Sequence, residues 1–363
     1  MKNLKASIKD SLFRLSFMRY ILRRAAIKEK VMNNKVISLF AGVGGIDIGF
    51  ENAGFKTIYA NEIDEKARQT YKLNFPEVFL DSRDIRDVQK DDIPHEASVV
   101  VSGFPCQSFS IAGYRKGLED EKNGDLFFET LRIAKEIEAD VIFLENVKNL
   151  VGHDRGKTFR IMLDALESNG YYVDYKVLNA TEFGNIPQNR ERIYIVAFRD
   201  KNCLDNFEFP KPIALTTTIR DFIDFKNKKD SSFYYTDKSF KQYDELKYGM
   251  NEQNTIYQWR RKYVRKNMSG VCPTLTANMG TGGHNVPLII TDNNEFRKLT
   301  PKETFNLQGF PKNYKLPDIA KSHLYKQAGN SVVVPVITRI AENIMKSIEK
   351  CNNREVQRET ARC

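Results

Sequence analysis

The sequence lacks a long apolar run, and its cysteines and histidines are few and scattered. No stretch approaches the roughly 20 apolar residues of a membrane-spanning helix, which predicts no membrane partner. The five cysteines include no Cys-x-x-Cys pair, and the four histidines show no metal-ligand spacing. We therefore expect no disulfide framework, no bound metal and a reducing cytoplasmic setting.

Acidic residues are too few to balance the basic ones, and the formal net charge is +10. Residues 1–35 hold ten basic against two acidic side chains, and residues 200–266 hold fourteen against ten. Basic character in selected segments suits a polyanionic partner, although a solvated face explains many charge runs equally well.

Residues 1–31 have the pattern of a basic amphipathic helix ahead of a domain that begins near Met32. An extra DNA-contacting arm, a targeting peptide and translation from a start upstream of Met32 are the specific interpretations. The segment has no long apolar core followed by a small-residue cleavage site, which argues against a secretory signal. We favour a simple extension added to the domain.

Strands and helices alternate from Lys35 onward. The predicted strands include 35–40, 97–103, 140–147 and 192–199, and the predicted helices include 126–139 and 158–170. Strands separated by helices of this length predict an α/β fold with a doubly wound, mostly parallel sheet. Because ligands bind at the carboxyl ends of the strands in such sheets, we expect functional residues directly after each strand.

The pattern changes after Arg199. Residues 200–295 show weak periodicity, many aromatic residues, clusters of lysine and asparagine, and a glycine-rich stretch. They predict a second, smaller and irregular domain. The predicted boundaries are an extension over 1–31, a main domain over 32–199 plus 322–349, a small domain over 200–321 and a flexible tail over 350–363.

Three glycines, Gly42, Gly44 and Gly45, separate the first strand from its helix. Glycine lets a ligand approach the backbone where a helix N-terminus faces it, although a tight turn alone would also use glycine. Asp47 stands where a dinucleotide-binding fingerprint would place a further glycine, which counts against a nicotinamide-dependent oxidoreductase.

Two carboxylates follow farther along the chain. Glu62 ends the second strand, where a carboxylate would bind ribose hydroxyls, and Asp84 is a candidate acceptor for an adenine amino group. Either residue taken singly is also what a solvated turn would contain. Their order along the chain favours a nucleotide-like ligand.

Cys106 follows a buried strand in a turn that contains Gly103 and Pro105. A free cysteine is usually a small buried hydrophobe. At the end of a strand, however, helix N-terminal amides can lower the pKa of a thiol from about 8.5, and the thiolate is a competent nucleophile. The position of Cys106 at the end of a strand therefore favours a catalytic nucleophile over a buried packing residue.

Charged residues also adjoin two later strands. Glu145 ends an apolar strand, where a carboxylate is either a helix cap or a general acid whose pKa is raised by partial burial. Arg190 and Arg192 precede the last strand. Alternating arginines share one side of an extended chain, where they suit a phosphate, a base carbonyl or a salt bridge.

Together these motifs resemble one family, the bacterial type II DNA (cytosine-5)-methyltransferases of restriction–modification systems. The resemblance covers about residues 36–345. It runs in order through LFAGVGGIDIGF, NEID, GFPCQSFS, ENV, QNRERIYIV, LTPKETFNLQGFP and QAGNSVVVPV. It implies a Rossmann-like class I S-adenosylmethionine-dependent methyltransferase whose small domain recognises the target.

The resemblance implies a pocket for S-adenosylmethionine. Phe40 would stack on the adenine and Glu62 would bind the ribose, with Asp84 and Asn330 completing the walls. The predicted cofactor-binding residues are Phe40, Gly42, Gly44, Gly45, Glu62, Asp84, Pro105 and Asn330.

The resemblance also implies the roles of the catalytic residues, which are Cys106, Glu145, Arg190 and Arg192. Cys106 would attack C6 of a cytosine, Glu145 would hold the N3 edge and donate a proton to it, and Arg192 would contact O2. The attack makes C5 nucleophilic enough to take the methyl group. Because C5 is inaccessible in a stacked duplex, the base is expected to be flipped out.

The small domain would then clamp double-stranded DNA. Residues 257–285 are its expected groove-facing part, with arginines for guanine or phosphate contacts. The predicted DNA-binding residues are Gln107, Ser110, Arg260, Arg261, Arg265, Thr274, Leu275 and Thr276.

Two alternatives share parts of this pattern. A tRNA cytosine-5 methyltransferase of the same superfamily has the same catalytic motifs, but the long Gly/Thr-rich segment favours DNA. A non-catalytic DNA-binding relative would be expected to lose Cys106 or Glu145, and both are present. The remaining expectations are a monomer in the cytoplasm, associated with the nucleoid through DNA and paired functionally with a cognate restriction endonuclease.

Overall fold

The structure is a computed structural model, and it describes residues 32–105, 126–260, 262–279 and 286–360, with side chains described up to residue 353. The chain divides into two units, Met1–Asn33 and Asn34–Cys363, and the elements below belong to the second. The predicted extension over 1–31 lies outside the described residues.

A seven-stranded sheet forms the centre of the second unit. Its strands lie in the order β3-β2-β1-β4-β5-β8-β6, and all are parallel except β8, which is antiparallel to both neighbours. These strands are β1 (Lys35–Leu39), β2 (Lys56–Asn61), β3 (Phe79–Asp81), β4 (Val99–Ser102), β5 (Val141–Val147), β6 (Tyr172–Asn179) and β8 (Glu191–Phe198). The predicted α/β fold is confirmed.

The central strands are nearly continuous apolar runs because helices cover both faces of the sheet. Val99–Ser102 is buried at every position, and it pairs with Val36–Leu39 on one side and Val141–Leu144 on the other. The interior of the sheet therefore holds the carboxyl ends of β1, β4 and β5 side by side.

Helices follow most of the strands. They are α1 (Gly45–Asn52), α2 (Glu65–Asn74), α3 (Leu126–Glu136), α4 (Lys157–Ser168), α5 (Ala180–Phe183), α6 (Lys201–Asp205), α7 (Tyr243–Gly249), α8 (Pro301–Asn306), α9 (Lys321–Asn330) and α10 (Val334–Thr360). Local capping defines several of these boundaries. The Asp64 carboxylate caps α2 by accepting from the amides of Lys66 and Ala67.

The region predicted to be irregular contains a small antiparallel sheet. Its strands lie in the order β10-β9-β12-β13, and a parallel two-stranded pair joins β7 to β11. These strands are β7 (Gln188–Asn189), β9 (Tyr257–Trp259), β10 (Val264–Lys266), β11 (Cys272–Pro273), β12 (Leu288–Ile290) and β13 (Phe296–Lys298). None exceeds three residues, too short for periodicity to predict. The boundary between main and small domains remains a prediction.

Two features of the carboxyl-terminal part differ from expectation. Helix α10 continues to Thr360, through most of the segment 350–363 that was predicted to be a tail. A disulfide joins Cys203 of α6 to Cys351 of α10, a pair that the expectation of no disulfide framework did not include. The two cysteines are 148 residues apart, so only the packing of α10 against α6 brings them together. Among the described residues, no helix has both the length and the apolar character needed to cross a membrane.

Candidate active site

A cavity of about 670 Å³ lies at the carboxyl ends of the central strands. Its walls are formed by residues that follow β1, β2, β3 and β4 and by the last residues of β5, together with Arg190, Arg192 and residues at the end of α9. The predicted site residues in its walls are Phe40, Gly42, Gly45, Glu62, Asp84, Pro105, Glu145, Arg190, Arg192 and Asn330. The structure thus brings together residues from most of the length of the chain.

The turn between β1 and α1 is built on left-handed backbone. Phe40, Gly42 and Gly44 have φ values of 53°, 58° and 77°. Gly44 is the N-cap of α1, and a Cβ there would lie 2.2 Å from the ring of Phe75. Gly44 does not line the cavity, so its role in the structure is to allow the turn to pack against Phe75.

Glu62 connects this turn to the end of β2. Its Oε2 accepts a hydrogen bond from the Gly42 amide at 2.8 Å, and its Oε1 accepts from the Asp64 amide at 2.7 Å. Burial raises the pKa of the Glu62 carboxyl, while the two backbone donors lower it. These hydrogen bonds hold the carboxylate in one orientation at the cavity wall.

Ile63 is a cavity residue that the sequence analysis did not assign. Its side chain is 61% exposed, which is unusual for a large apolar residue next to a buried strand. Ile63, Phe40 and Ile85 all line the cavity. Apolar side chains in these positions suit the faces of a planar ring such as adenine. The sequence could have indicated Ile63 as a site residue, because it directly follows Glu62.

Asp84 lines the cavity in an ion pair with Arg86. Its Oδ1 accepts from Arg86 Nε at 2.9 Å, and this contact lowers the pKa of the Asp84 carboxyl. Asp84 also caps the short 3₁₀ turn Ile85–Asp87. Part of its acceptor capacity is therefore used within the protein.

Glu145 and Arg192 form a buried pair in the cavity wall. Arg192 Nε lies 3.2 Å from Glu145 Oε1, with side chains only 13% and 10% exposed. Burial raises the pKa of the Glu145 carboxyl, and the positive charges of Arg192 and Arg190 oppose that rise. The antiparallel pairing of β5 with β8, in which Val147 lies opposite Arg192, creates this contact.

Asn146 ties the end of β5 to the chain that leaves β4. Its Nδ2 donates to the Phe104 carbonyl at 2.9 Å, and its Oδ1 accepts from the Val147 amide at 2.8 Å. This holds Phe104, two residues before Cys106, beside the end of β5, and Phe104, Pro105 and Glu145 line the same cavity. Cys106, Gln107 and Ser110 themselves lie outside the described residues, so their predicted roles remain predictions.

The segment after β11 packs against β7. Thr274 Oγ1 donates to the Asn189 carbonyl at 2.6 Å, and Thr276 is exposed. Leu275 is only 1% exposed. Its burial argues against a contact between the Leu275 side chain and DNA, because the apolar side chain packs inside the protein.

Two of the predicted arginines, Arg260 and Arg265, lie on the β9–β10 hairpin. Arg260 and Arg265 are exposed, and Arg260 Nη2 donates to Gln258 Oε1 at 2.9 Å. Arg261 lies outside the described residues. Exposed guanidinium groups on a short hairpin are available to phosphates or base edges.

The fold is similar to that of solved Rossmann-like methyltransferases. A DNMT2 variant from Spodoptera frugiperda superposes with a TM-score of 0.67 at 19% identity, covering 86% of this chain and 100% of that chain. The Dnmt2 methyltransferase of S. pombe gives a TM-score of 0.66 at 19% identity, covering 86% and 99%. At these identities the likeness shows the fold.

Sequence comparison then defines the family. Residues 34–346 match the model for C-5 cytosine-specific DNA methylases. The chain is 61% identical over 315 residues to the type II methyltransferase M.Bsp6I of Bacillus sp. (strain RFL6), covering 86% of this chain and 99% of that protein. It is 37% identical over 336 residues to M.HhaI of Haemophilus parahaemolyticus, covering 89% and 98%. The protein belongs to the C-5 cytosine-specific DNA methylase family, as the resemblance predicted.

Proposed function

We propose that this protein methylates C5 of a cytosine within a short specific sequence of double-stranded DNA. The observation that carries the proposal is the buried Glu145–Arg192 pair at 3.2 Å, in the cavity at the ends of the central strands. An acid and a guanidinium at this spacing match the N3 and O2 edge of a cytosine. The relatives' type II names support the further proposal that methylation protects DNA from a cognate restriction endonuclease.

The other end of the cavity fits S-adenosylmethionine. Phe40 and Ile63 offer apolar surfaces for the adenine, and Glu62 presents a fixed carboxylate to the ribose hydroxyls. Asp84, Pro105 and Asn330 complete these walls. S-adenosylmethionine supplies an electrophilic methyl group. The proposed chemistry needs no metal, so we expect methyl transfer to persist in EDTA.

Two side chains then act on the target base. The Cys106 sulfur forms a bond to C6. The electron pair of the C5=C6 double bond shifts to form C4=C5, and N3 receives the C4=N3 pair and takes a proton from Glu145. Burial raises the pKa of Glu145, which favours the protonated form that this step needs. Arg192 orients Glu145 and contacts O2. After methylation, a base removes the C5 proton, the S–C6 bond breaks to restore the thiolate, and N3 returns its proton to Glu145.

The exposed hairpin residues Arg260 and Arg265, with Thr274 and Thr276, are proposed to contact the DNA outside the base pocket. Arg261, Gln107 and Ser110 remain proposed contacts from the sequence. We further propose that the protein acts on DNA as a monomer, because one chain supplies both the predicted base pocket and the predicted DNA surface.

The decisive experiment traps the reaction on DNA. Bisulfite sequencing of DNA from cells that express the protein would identify the methylated sequence. A duplex with 5-fluorocytosine at that position should then form a covalent adduct in the presence of S-adenosylmethionine. The Cys106→Ser variant should form no adduct and still bind the duplex. Methyl transfer to a tRNA pool with none to any duplex would contradict the DNA proposal.

A further inference from the structure

Arg190 links two backbone segments through one buried guanidinium. Its Nη1 donates to the Leu275 carbonyl at 2.7 Å. Its Nη2 donates to the Gly329 carbonyl at 3.0 Å and to the Ser331 carbonyl. Leu275 lies in the segment proposed to contact DNA, and Gly329 and Ser331 flank Asn330 in the cavity wall.

The same segments also touch without an intervening side chain. A Cβ on Gly329 would lie 2.2 Å from both the carbonyl carbon and the oxygen of Thr276. Only glycine allows α9 to approach the backbone of the 274–277 segment this closely. A shift of either segment would therefore displace the other.

The contact between residues 274–277 and residues 329–331 is called the junction below. The side chains of Gln188 and Gln308 add hydrogen bonds next to it. Gln188 Oε1 accepts from the Leu275 amide at 3.1 Å, and its Nε2 donates to the Leu307 carbonyl at 2.8 Å. Gln308 Nε2 donates to the Ala328 carbonyl at 2.7 Å. Gln188 of β7 also donates to Gln308 Oε1 at 3.2 Å, so side-chain hydrogen bonds connect Leu275 through Gln188 and Gln308 to Ala328 in α9.

A buried guanidinium needs such partners because an isolated charge inside a protein is costly. Burial and the neighbouring charge of Arg192 lower the pKa of Arg190 to about 9, while Glu145 raises it. Arg190 therefore remains protonated at neutral pH and makes charge-assisted hydrogen bonds to the carbonyls. Its two terminal nitrogens are directed at the backbone rather than left for a ligand.

We infer that Arg190 is a positioning residue that holds the 274–276 segment against residues 329–331, instead of a group that acts on the target base. The inference rests on the proposed function, in which the first segment contacts DNA and the second contacts S-adenosylmethionine. It predicts that DNA contact and cofactor binding are coupled through this junction, and that a change in Arg190 alters cofactor affinity even without DNA.

The test measures S-adenosylmethionine binding by calorimetry and amide hydrogen exchange by mass spectrometry, on the full chain without DNA. Arg190→Lys keeps the charge but loses the fork that reaches three carbonyls. We expect about a tenfold loss of affinity for S-adenosylmethionine, which is the size of effect that a lost hydrogen bond produces. We also expect faster exchange in both 272–277 and 328–332.

Arg192→Lys is the matched control, since Arg192 lies two residues away and contacts Glu145 instead of the junction. It should lower methyl transfer while leaving cofactor affinity and exchange in both segments unchanged. If Arg190→Lys behaved in the same way, Arg190 would be a group that acts on the base and the inference would be wrong. Faster exchange in only one of the two segments would also overturn it.

Gly329→Ala tests the same junction from the other side and keeps the inference testable if Arg190→Lys fails to fold. Its methyl group should separate the segments and accelerate exchange in both. Combined with Arg190→Lys, its effect on cofactor affinity should be less than the product of the single effects, because both changes disrupt one contact. A wild-type protein that binds no S-adenosylmethionine would contradict the proposed function, whereas the exchange comparison would still decide the role of Arg190.

Discussion

At the scale of single residues, the chemistry of the proposed site depends on burial. Glu145 is a carboxyl group whose pKa is raised because its side chain is nearly excluded from water. Arg192 limits that rise and orients the group. Neither effect follows from residue type, since Glu191 on the neighbouring strand β8 is half-exposed and pairs with Lys148 at 2.8 Å.

Replacing Glu145 by Gln should reduce methyl transfer by about 10² to 10⁴-fold, because the amide has no proton to give to N3. In the wild type the protonated form is the active one. The rate of the chemical step should therefore fall as pH rises through the raised pKa of Glu145. Single-turnover assays with a labelled methyl donor would measure both effects.

Glu191→Gln is the control for this experiment. It removes a carboxylate from an exposed ion pair, so transfer and its pH profile should match the wild type. A Glu145→Gln enzyme with wild-type rates would show that the proton comes from elsewhere.

Asp47 is a second buried carboxyl group, in the first turn of α1. It accepts hydrogen bonds from Ser38 Oγ at 3.0 Å and Tyr71 Oη at 2.9 Å. Burial raises its pKa from 3.8 to about 6, against the effect of these hydrogen bonds. The folded state therefore binds a proton that the unfolded state releases.

A raised pKa contributes stability that is fully present below the unfolded value and is lost as pH rises through the folded value. The Asp47→Asn variant lacks this titration. The difference in free energy of unfolding, wild type minus variant, should fall by up to about 3 kcal/mol between about pH 4 and pH 6. Urea denaturation across this range would measure it, and a constant difference would contradict the buried ionisation.

At the scale of elements, one buried ion pair connects the small sheet to a helix. Arg297 of β13 is fully buried, and its Nη1 and Nη2 donate to the two carboxylate oxygens of Glu303 in α8 at 2.8 and 2.7 Å. Glu303 also completes the capping box of α8 with Thr300. The pair joins the sheet to the helix and caps that helix at the same time.

Glu303→Gln should lower the free energy of unfolding by about 3 kcal/mol, because it leaves the buried Arg297 without its counter-ion. The exposed pair of Arg220 with Asp292 offers the comparison. Asp292→Asn should leave stability nearly unchanged, since water screens that pair. Equal losses in the two variants, measured by urea denaturation, would show that burial is not the deciding factor.

At the scale of the whole molecule, charge governs the encounter with DNA. The chain carries a net charge of +10, and Arg260 and Arg265 are exposed on the β9–β10 hairpin. Contacts between basic side chains and phosphates release counter-ions, so affinity falls as the salt concentration rises.

Replacing Arg260 or Arg265 by Ala should weaken binding to the identified duplex. For an arginine that contacts a phosphate, the slope of log affinity against log salt should also decrease by about one. Lys201, whose exposed side chain is paired with Asp205 at 2.9 Å, is the control. Fluorescence anisotropy at several salt concentrations would provide the slopes, and an equal decrease in Lys201→Ala would indicate a general effect of net charge.

Much of the main sheet could be predicted because its signals are local. Apolar runs such as 140–147 and the helices between them reveal strand–helix alternation, and polar residues directly after the strands indicate the ligand-binding edge. The small sheet could not be predicted, because three-residue strands carry no periodicity. The Cys203–Cys351 disulfide and the burial of Leu275 depend on packing between distant segments.

The sequence by itself determined the alternation of strands and helices, the glycine turn and the residues that end each strand, because these follow from local pattern and motif. It also determined the family. Only the tertiary structure decided that β8 runs against β5, and so brings Arg192 to Glu145. It likewise decided that Arg190 binds the carbonyls of Leu275, Gly329 and Ser331, since those contacts join segments that are distant in sequence.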